Sequence, residues 1–230
     1  MVPSRFIRVT TRLVNLVFDS ALPRDLAGFW EGLFSWDAPF EPAFRSEAGP
    51  KRGKNRLHLD LASRSPEHQA ELVDRALSLG ARHTDIGQGP PEEKRVPWVV
   101  LADPEGNEFC VLEPREQYQG TGAIASVVTD ALDPERLARF WAAALGWEIG
   151  VREEAIVGLR PPDGRGPWVE FLLTKEEKHH RNRLRFEIAP RRGGSRAAEV
   201  RRLRELGATG RNGDAMVDPE GNEFSVLTPR

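Results

Sequence analysis

Hydrophobic and polar residues follow one another along this chain in an order that occurs twice. Stretches 12–18 and 123–129 are rich in β-branched and apolar residues, which predicts a strand near the start of each half. Apolar residues then recur at helical spacing from Pro23 and from Pro134, so each opening strand leads into a helix. The pattern therefore predicts two similar halves, each beginning with a strand and a helix.

Further along each half, residues 55–61 and 182–188 alternate strictly between apolar and polar side chains, which predicts a second strand. A second helix is predicted after each of these strands, beginning near Ser65 and near Ser195, both favourable N-caps. The polar faces of the two alternating strands either meet solvent or line a cavity. They carry Arg56, His58 and Asp60 in the first half, and Arg183, Arg185 and Glu187 in the second.

Segments 103–109 and 218–224 have the identical sequence DPEGNEF and lie 115 positions apart, which is half of the 230-residue chain. The DPEG part has the residues of a tight turn, so it predicts a hairpin near the end of each half. Chance does not produce a match of this length, so the chain is a duplicated module. We expect a first module at residues 1–118 and a second at residues 119–230.

The two copies differ in length. Between the tryptophan of the first helix and the middle of the alternating strand, the first copy is 16 residues shorter than the second. The second copy has three predicted strands in this interval, at 148–150, 155–159 and 168–173, whereas the first has only the proline- and charge-rich stretch 37–53. Sixteen residues amount to about two short strands and a turn. The first module is therefore expected to lack part of its sheet.

The composition excludes several classes of partner. The chain has 33 basic and 35 acidic residues, so no overall positive charge favours nucleic acid or an anionic membrane. Cys110 is the only cysteine, which excludes an intrachain disulfide and fits a reducing compartment, and its apolar surroundings predict a buried, inert thiol. No apolar run approaches the roughly 18 residues of a membrane span. These properties predict a cytoplasmic protein that binds neither nucleic acid nor membrane.

Several motifs together resemble the glyoxalase-like, bleomycin-resistance-like branch of the vicinal oxygen chelate superfamily. They are DPERLARFWAAALGW at 133–147, NRLHLDL at 55–61, the two LGA helix ends at 79–81 and 206–208, and both DPEGNEF hairpins. The resemblance covers nearly the whole chain. It implies an α+β fold of two tandem βαβββ-type modules, in which curved mixed sheets face each other across a cleft and the helices lie outside.

The resemblance also implies where a metal would bind. Metal-using members of the family hold a divalent ion with residues from an opening strand, from the strand after the first hairpin and from the last strand. By position, the second of these is His58 and the third is Glu108, with Ser126 of the facing module as the opening-strand residue. His58 and Glu108 are thus the candidate metal ligands, or a candidate acid/base pair. Alternatively, His58 is a structural residue or, like Glu108, contacts a small-molecule ligand without metal. Two good ligands and a hydroxyl make an incomplete set for tight binding.

The corresponding positions of the second site are Asn15, Arg185 and Glu223. Arg185 would repel a cation, but it can form an ion pair with Glu223 or present its guanidinium to an anionic ligand. Asn15 and Ser126 are equally well explained as ordinary polar residues of half-exposed strands.

Trp98 and Trp168 lie at strand entrances, where they can stack on a planar ligand or belong to the core. Three functions remain open. The first is binding of a small organic molecule in the cleft between the modules, without a full metal site. The second is a divalent-metal-assisted lyase, isomerase or transferase acting on a small oxygenated substrate. The third is a non-catalytic dimerisation or interaction module, and a homodimer is compatible with each of them.

Overall fold

The computed structural model describes residues 11–47, 49–87, 96–212 and 215–230. Four helices occur in this part of the chain, and they are α1 (Pro23–Leu33), α2 (Pro66–Ser78), α3 (Pro134–Leu145) and α4 (Arg196–Glu205). Side-chain oxygens of Ser65, Asp133 and Ser195 accept hydrogen bonds from the first turns of α2, α3 and α4. Gly146 ends α3 with a φ of 68°, a left-handed conformation that glycine adopts readily. The predicted helix starts and ends are therefore confirmed.

The same residues form fourteen strands arranged in two mixed sheets. In chain order the strands are β1 (Thr11–Asp19), β2 (Glu41–Arg45), β3 (Leu57–Leu61), β4 (Arg82–His83), β5 (Val99–Ala102), β6 (Glu108–Val111), β7 (Ile124–Ala131), β8 (Glu148–Arg152), β9 (Ile156–Arg160), β10 (Trp168–Leu173), β11 (Leu184–Pro190), β12 (Thr209–Asn212), β13 (Ala215–Val217) and β14 (Glu223–Val226). The eight-stranded sheet has the order β4-β5-β6-β3-β7-β10-β9-β8, and the six-stranded sheet has the order β12-β13-β14-β11-β1-β2.

The six-stranded sheet is the shortened one that the length difference between the two copies predicts. Strand β2 pairs in parallel with β1, as β10 pairs in parallel with β7 in the other sheet. Strands β9 and β8 continue the eight-stranded sheet beyond β10, whereas β2 is the last strand on its side of the six-stranded sheet. The predicted α+β class, with mixed sheets and one shortened half, is thereby confirmed.

Each sheet takes strands from both halves of the chain. Strands β1 and β2 of the first half join β11–β14 of the second, and β3–β6 of the first half join β7–β10 of the second. The two sheets therefore do not correspond to the two halves, and the module boundary after residue 118 stays a prediction.

Apolar side chains on one face of each sheet pack against the helices. In the eight-stranded sheet, Leu57, Leu59 and Leu61 are almost fully buried in this core. The aromatic pairs Phe29-Trp30 of α1 and Phe140-Trp141 of α3 also lie in the core. Trp141 packs edge-on against Phe186 and Phe224. Since alternate residues of a strand point to opposite faces, the polar residues between the leucines lie on the face away from the helices. Within the described residues, no helix combines the length and the apolar character needed to cross a bilayer.

Candidate functional site

A cluster of polar side chains occupies the middle of the eight-stranded sheet, on the face away from the helices. Strand register places Cys110, Asp60, Ser126 and Trp168 side by side across β6, β3, β7 and β10. These four residues come from both halves of the chain. Neighbours in this row are 42 to 66 positions apart in sequence, so strand pairing brings them together.

A second row lies next to the first. Val128 of β7 is paired with His58 of β3 on one side and with Glu170 of β10 on the other. The Nε2 atom of His58 lies 3.5 Å from the Oδ1 atom of Asp60, which connects the two rows. We call His58, Asp60, Cys110, Ser126 and Glu170 the central cluster.

Several atoms of the central cluster are buried without a hydrogen-bond partner. They are Nδ1 of His58, Oδ1 of Asp60 and Oγ of Ser126, none of which makes a hydrogen bond of good geometry within the described residues. The nearest polar contacts of the last two are His58 for Asp60, at 3.5 Å, and Glu170 for Ser126. His58 is 6% exposed and Ser126 is fully buried. Buried polar atoms in folded proteins are nearly always paired, because an unpaired one costs about 1–3 kcal/mol. Three on one sheet face mark a position where a ligand atom would be stabilised.

Burial also shifts the protonation of the cluster. Burial, aided by the positive charge of Lys54, lowers the pKa of His58 to about 3. Burial raises the pKa of Asp60 to about 7, and the nearby carboxylate of Glu170 adds to this shift. Burial likewise raises the pKa of Cys110 well above its ordinary value and raises the pKa of Glu170. Such grouped shifts are typical of functional sites, and near neutral pH His58 is uncharged.

The segment that links the two halves, residues 112–123 between β6 and β7, covers one side of the cluster. We call it the linking segment. A short 3-10 helix at Glu116–Tyr118 holds Tyr118, whose hydroxyl donates to the carboxylate of Glu170 at 3.0 Å. The side-chain amide of Gln117 donates to the same carboxylate at 3.1 Å. Next to them, the guanidinium carbon of Arg115 lies 5.5 Å from the ring centroid of Trp98. The linking segment is therefore part of the site.

Trp168 lies at the edge of the cluster, and its ring packs against Gly150 and Gly158. A Cβ atom added to Gly158 or Gly150 would come within 3.0 or 2.9 Å of the Trp168 ring, so only glycine leaves room for the ring there. The guanidinium carbon of Arg160 is 5.8 Å from the ring centroid. Trp168 and the half-buried Trp98 belong to a small apolar group that also contains Tyr118. A stacking role for either tryptophan stays a prediction.

Register aligns Glu108 of β6 with His58 of β3, but the carboxylate of Glu108 is held by other groups. One carboxylate oxygen of Glu108 accepts from Lys51 at 2.7 Å, and the other accepts from the backbone amide of Asn55 at 3.1 Å. Both oxygens are thus used in contacts outside the central cluster. Among the residues that the structure describes, His58, Asp60 and Cys110 are brought together as a group of possible metal ligands.

Reasoning from sequence missed four members of the site: Asp60, Cys110, Glu170 and Tyr118. Asp60 was detectable, because period-two alternation puts it on the same strand face as His58. Glu170 was detectable as a charge inside the otherwise apolar stretch 168–173. Nothing local in the sequence places Tyr118 over the cluster.

The equivalent positions of the six-stranded sheet have a different chemistry. Glu187 is paired in register with Asn15 and with Ser225, as Asp60 is with Ser126 and Cys110. The side-chain amide of Asn15 donates to Glu187 at 2.6 Å, and Nη2 of Arg45 donates to both oxygens of that carboxylate at 2.7 and 2.9 Å. This site is therefore satisfied internally, unlike the central cluster.

Arg185 and Glu223 do not pair with each other. Arg185 is buried and makes ion pairs with Asp19 and, at 3.4 Å, with Glu47. Glu223 instead accepts from Lys178 at 2.8 Å. The two residues thus belong to separate ionic contacts.

Comparison with known proteins agrees with this geometry. The sequence pattern described as a glyoxalase-like domain matches residues 15–112 and again residues 126–227. The chain belongs to the glyoxalase-like domain family. The resemblance inferred from the sequence motifs is thereby confirmed. A search of curated proteins found no match.

Solved structures with the same fold include glyoxalase I from Zea mays, which is 15% identical over 95% of this chain and 92% of its own, with a TM-score of 0.63. The V278E mutant of that glyoxalase I is 16% identical, covers 95% and 92% of the two chains and has a TM-score of 0.64. A putative dioxygenase from Bacillus subtilis subsp. subtilis str. 168 is 13% identical, over 94% and 84%, with a TM-score of 0.56. At these identities the likeness concerns the fold alone.

Proposed function

We propose that this glyoxalase-like protein binds a small oxygen-bearing organic molecule at the central cluster of the eight-stranded sheet. The observation that carries the proposal is the convergence of unpaired, buried atoms from His58, Asp60 and Ser126 on one sheet face. A ligand with hydroxyl or carbonyl groups would satisfy these atoms and remove the cost of leaving them unpaired. Apolar side chains beside the cluster suit the carbon skeleton of such a ligand.

The cluster's protonation states favour a neutral, hydrogen-bonding ligand. Because burial keeps His58 uncharged, one of its ring nitrogens donates and the other accepts. Asp60, with a pKa of about 7, changes between donor and acceptor near neutral pH. The Ser126 hydroxyl both donates and accepts. The site thus offers donors and acceptors without a fixed net charge.

Entry to this site requires a local movement. Three cavities of the molecule, of about 550, 650 and 810 Å³, have no member of the central cluster in their walls. Tyr118 and Gln117 close over Glu170 from the linking segment. Displacement of that segment is the step that would admit a ligand. A non-catalytic interaction module would also have a covered sheet face. The experiment below therefore distinguishes ligand binding from that alternative.

A divalent metal ion is the second candidate occupant, and the residues present fit one. The ligand atoms of His58, Asp60 and Cys110 lie within 4.8 Å of one another. Nitrogen, oxygen and sulfur donors together suit zinc and similar transition metals. Burial makes ionisation of Asp60 and Cys110 unfavourable, and a cation between them would offset that cost. A bound ion would supply a Lewis acid that polarises a substrate oxygen.

In that case different residues of the cluster would hold the ion and contact the substrate. His58, Asp60 and Cys110 would hold the ion, while Glu170 and Ser126 stay available for hydrogen bonds to a substrate. Glu170 would be oriented by Tyr118, which donates to it at 3.0 Å. This arrangement corresponds to the metal-assisted enzyme predicted from sequence, but with Asp60 and Cys110 in place of Glu108.

The test combines ligand screening with metal analysis of protein purified without chelators. We expect small hydroxy- or carbonyl-bearing compounds to raise the melting temperature, and Ser126→Ala and Glu170→Gln to abolish the rise. Glu108→Gln is the matched control, because its carboxylate contacts Lys51 and Asn55 rather than the cluster. That variant should bind ligand as the unmodified protein does.

Metal is tested separately by titration with Co²⁺. A thiolate-to-cobalt charge-transfer band that disappears in Cys110→Ser and Asp60→Asn would establish the metal site, irrespective of any enzymatic activity. Ligand binding without metal supports the first candidate alone. If neither compounds nor metals bind, both candidates are wrong and the interaction-module alternative gains support.

A further inference from the structure

The shortened six-stranded sheet has a groove that is separate from the central cluster. Its volume is about 810 Å³, within the range of small-molecule sites. The side chains that give it its character are those of five arginines and three glutamates. The arginines are Arg45, Arg181, Arg185, Arg196 and Arg230, and the glutamates are Glu47, Glu187 and Glu223.

Strand register shows why the groove differs chemically from the central cluster. Arg185 lies two residues before Glu187 on β11, as His58 lies two residues before Asp60 on β3. Val17 pairs with Arg185 as Val128 pairs with His58. The groove thus has a permanently charged guanidinium at the position where the central cluster has a neutral imidazole that can bind a metal. The groove therefore disfavours a cation and favours an anion.

The three glutamates of the groove are already paired. Glu187 accepts from Arg45 and Asn15, and Glu47 lies at 2.7 Å from Arg181. Glu223 is neutralised by Lys178, which is not among the side chains that line the groove. Asp19 supplies one further carboxylate, which pairs with Arg181 and Arg185. The five arginines and Lys178 still exceed these four carboxylates in number.

A second group of arginines extends this positive surface. Arg12, Arg191, Arg192 and Arg230 form the walls of an adjacent open pocket together with Pro229. Within the described residues, none of these four has an ion-pair partner, and Arg230 lines both the pocket and the groove. An approaching anion would be attracted toward the groove from this side.

Arg45 is the residue best placed to contact a ligand. Its side chain is 43% exposed, and only its Nη2 atom contacts Glu187. The other nitrogens of the guanidinium make no hydrogen bond within the described residues. Guanidinium groups bind carboxylates and phosphates through two parallel hydrogen bonds. We propose that the groove binds a small organic anion that carries more than one carboxylate or phosphate group.

The experiment measures binding of citrate and of inorganic phosphate by isothermal titration calorimetry, at low ionic strength. We expect Arg45→Gln to weaken binding about tenfold or more, as loss of a charge-assisted hydrogen bond does. Arg230→Gln should weaken it as well. Arg24→Gln is the matched control, since Arg24 is exposed on α1, outside the groove, and its loss changes the net charge equally. Citrate binding alone indicates a carboxylate ligand, and binding of phosphate alone indicates a phosphorylated one.

Four results would overturn the inference. Equal weakening by Arg24→Gln would show a non-specific charge effect. Loss of binding in Arg191→Gln/Arg192→Gln but not in Arg45→Gln would place the anion in the open pocket instead. Loss in Asp60→Asn would place it in the central cluster, so failure of this inference and failure of the proposed function are distinguishable. Absence of binding to either probe would also contradict it.

Discussion

Arg183 donates a hydrogen bond of 2.8 Å to the carboxylate of Glu105, and this contact connects the two sheets. Arg183 immediately precedes β11 of the six-stranded sheet, whereas Glu105 lies in the turn between β5 and β6 of the eight-stranded sheet. Arg56 and Glu220 make the same contact in the opposite direction, at 3.1 Å. The glutamate in each DPEG turn is therefore an inter-sheet contact, repeated by an approximate twofold symmetry.

Glu105→Ala is predicted to destabilise the protein by about 1–3 kcal/mol, because Glu105 also accepts hydrogen bonds from Ser20 and from the backbone amides of Ala21 and Leu22 at the start of α1. Urea unfolding measures the change. Glu135→Ala is the control, since Glu135 makes partly exposed ion pairs with Arg139 and Arg152. Equal losses in the two variants would show that Glu105 contributes no more than a surface charge.

The same glutamate predicts a loss of stability in acid. Burial opposes ionisation of Glu105, but hydrogen bonds from Ser20, Leu22 and Ala21 outweigh it and hold its pKa below the ordinary value. A lowered pKa in the folded state gives stability that is present above the unfolded pKa and lost as the pH falls through the folded one. In Glu105→Gln this part of the acid-induced loss should disappear. Chemical denaturation between pH 3 and pH 7 would reveal it.

His58 and Asp60 are predicted to have opposite effects on stability as the pH changes. At pH 5 the unfolded chain carries a proton on His58 and none on Asp60, whereas the folded chain carries the reverse. The proton counts are equal, so the two groups together give little pH dependence between about pH 4 and pH 6.5.

Removing one group should expose the effect of the other. In Asp60→Asn only His58 remains, and stability should fall as the pH decreases from about 6.5 toward 3, because its folded pKa lies below its unfolded one. In His58→Gln only Asp60 remains, and stability should fall as the pH rises from about 4 to about 7. Urea titrations with a chelator present measure both slopes. Parallel slopes in the two variants would contradict the assignment.

Tyr118→Phe is predicted to loosen the linking segment over the central cluster. The variant removes the hydroxyl that donates to Glu170 and leaves that buried carboxylate with one donor fewer, at a cost of about 1–3 kcal/mol. Cys110, the only cysteine of the chain, is buried in the same apolar group and reports on its opening. We expect a thiol reagent to modify Cys110 faster in Tyr118→Phe. Ser78→Ala, which removes an exposed hydrogen bond on α2, should leave the rate unchanged.

Two glycines of the linking segment provide a matched pair of variants. Gly120 and Gly122 both have positive φ, of 84° and 87°, so alanine at either costs about 1–2 kcal/mol. Only at Gly122 would the added Cβ also meet a neighbour, the carboxylate of Asp37, which accepts from the amide of Ala123. Gly122→Ala should therefore cost about 1 kcal/mol more than Gly120→Ala.

Thermal or urea unfolding gives the comparison, and Asp37→Ala is the decisive background. Without the Asp37 carboxylate, the collision and the hydrogen bond are both absent, so the two alanine variants should become equally stable. A difference that persists in that background would mean that something other than Asp37 limits the space at Gly122.

Local patterns predicted the elements of this fold well. Alternation at 55–61 and helical spacing after Pro134 arise from neighbouring residues, and the structure has a strand and a helix at each. The strands missing from the six-stranded sheet were predictable too, because the first copy of the repeat could be compared in length with the second. These features depend on residues that are close in sequence.

The candidate site depended on long-range pairing and was predicted only in part. His58, Ser126 and Glu108 were identified from sequence, but the contacts of the Glu108 carboxylate with Lys51 and Asn55 were not predictable, because they depend on the fold. Glu105 was explained as turn chemistry for the same reason. Its partner Arg183 lies 78 residues away and in the other sheet.

The distribution of strands between the two sheets has a consequence for the origin of the protein. A single unduplicated half would contain strands of both sheets but could complete neither of them alone. Two copies exchanging strands would complete both, so the ancestor of this chain is expected to have been an intertwined dimer. Fusion of the two genes would then have turned an intermolecular pairing into an intramolecular one, and freed each half to lose or replace residues independently.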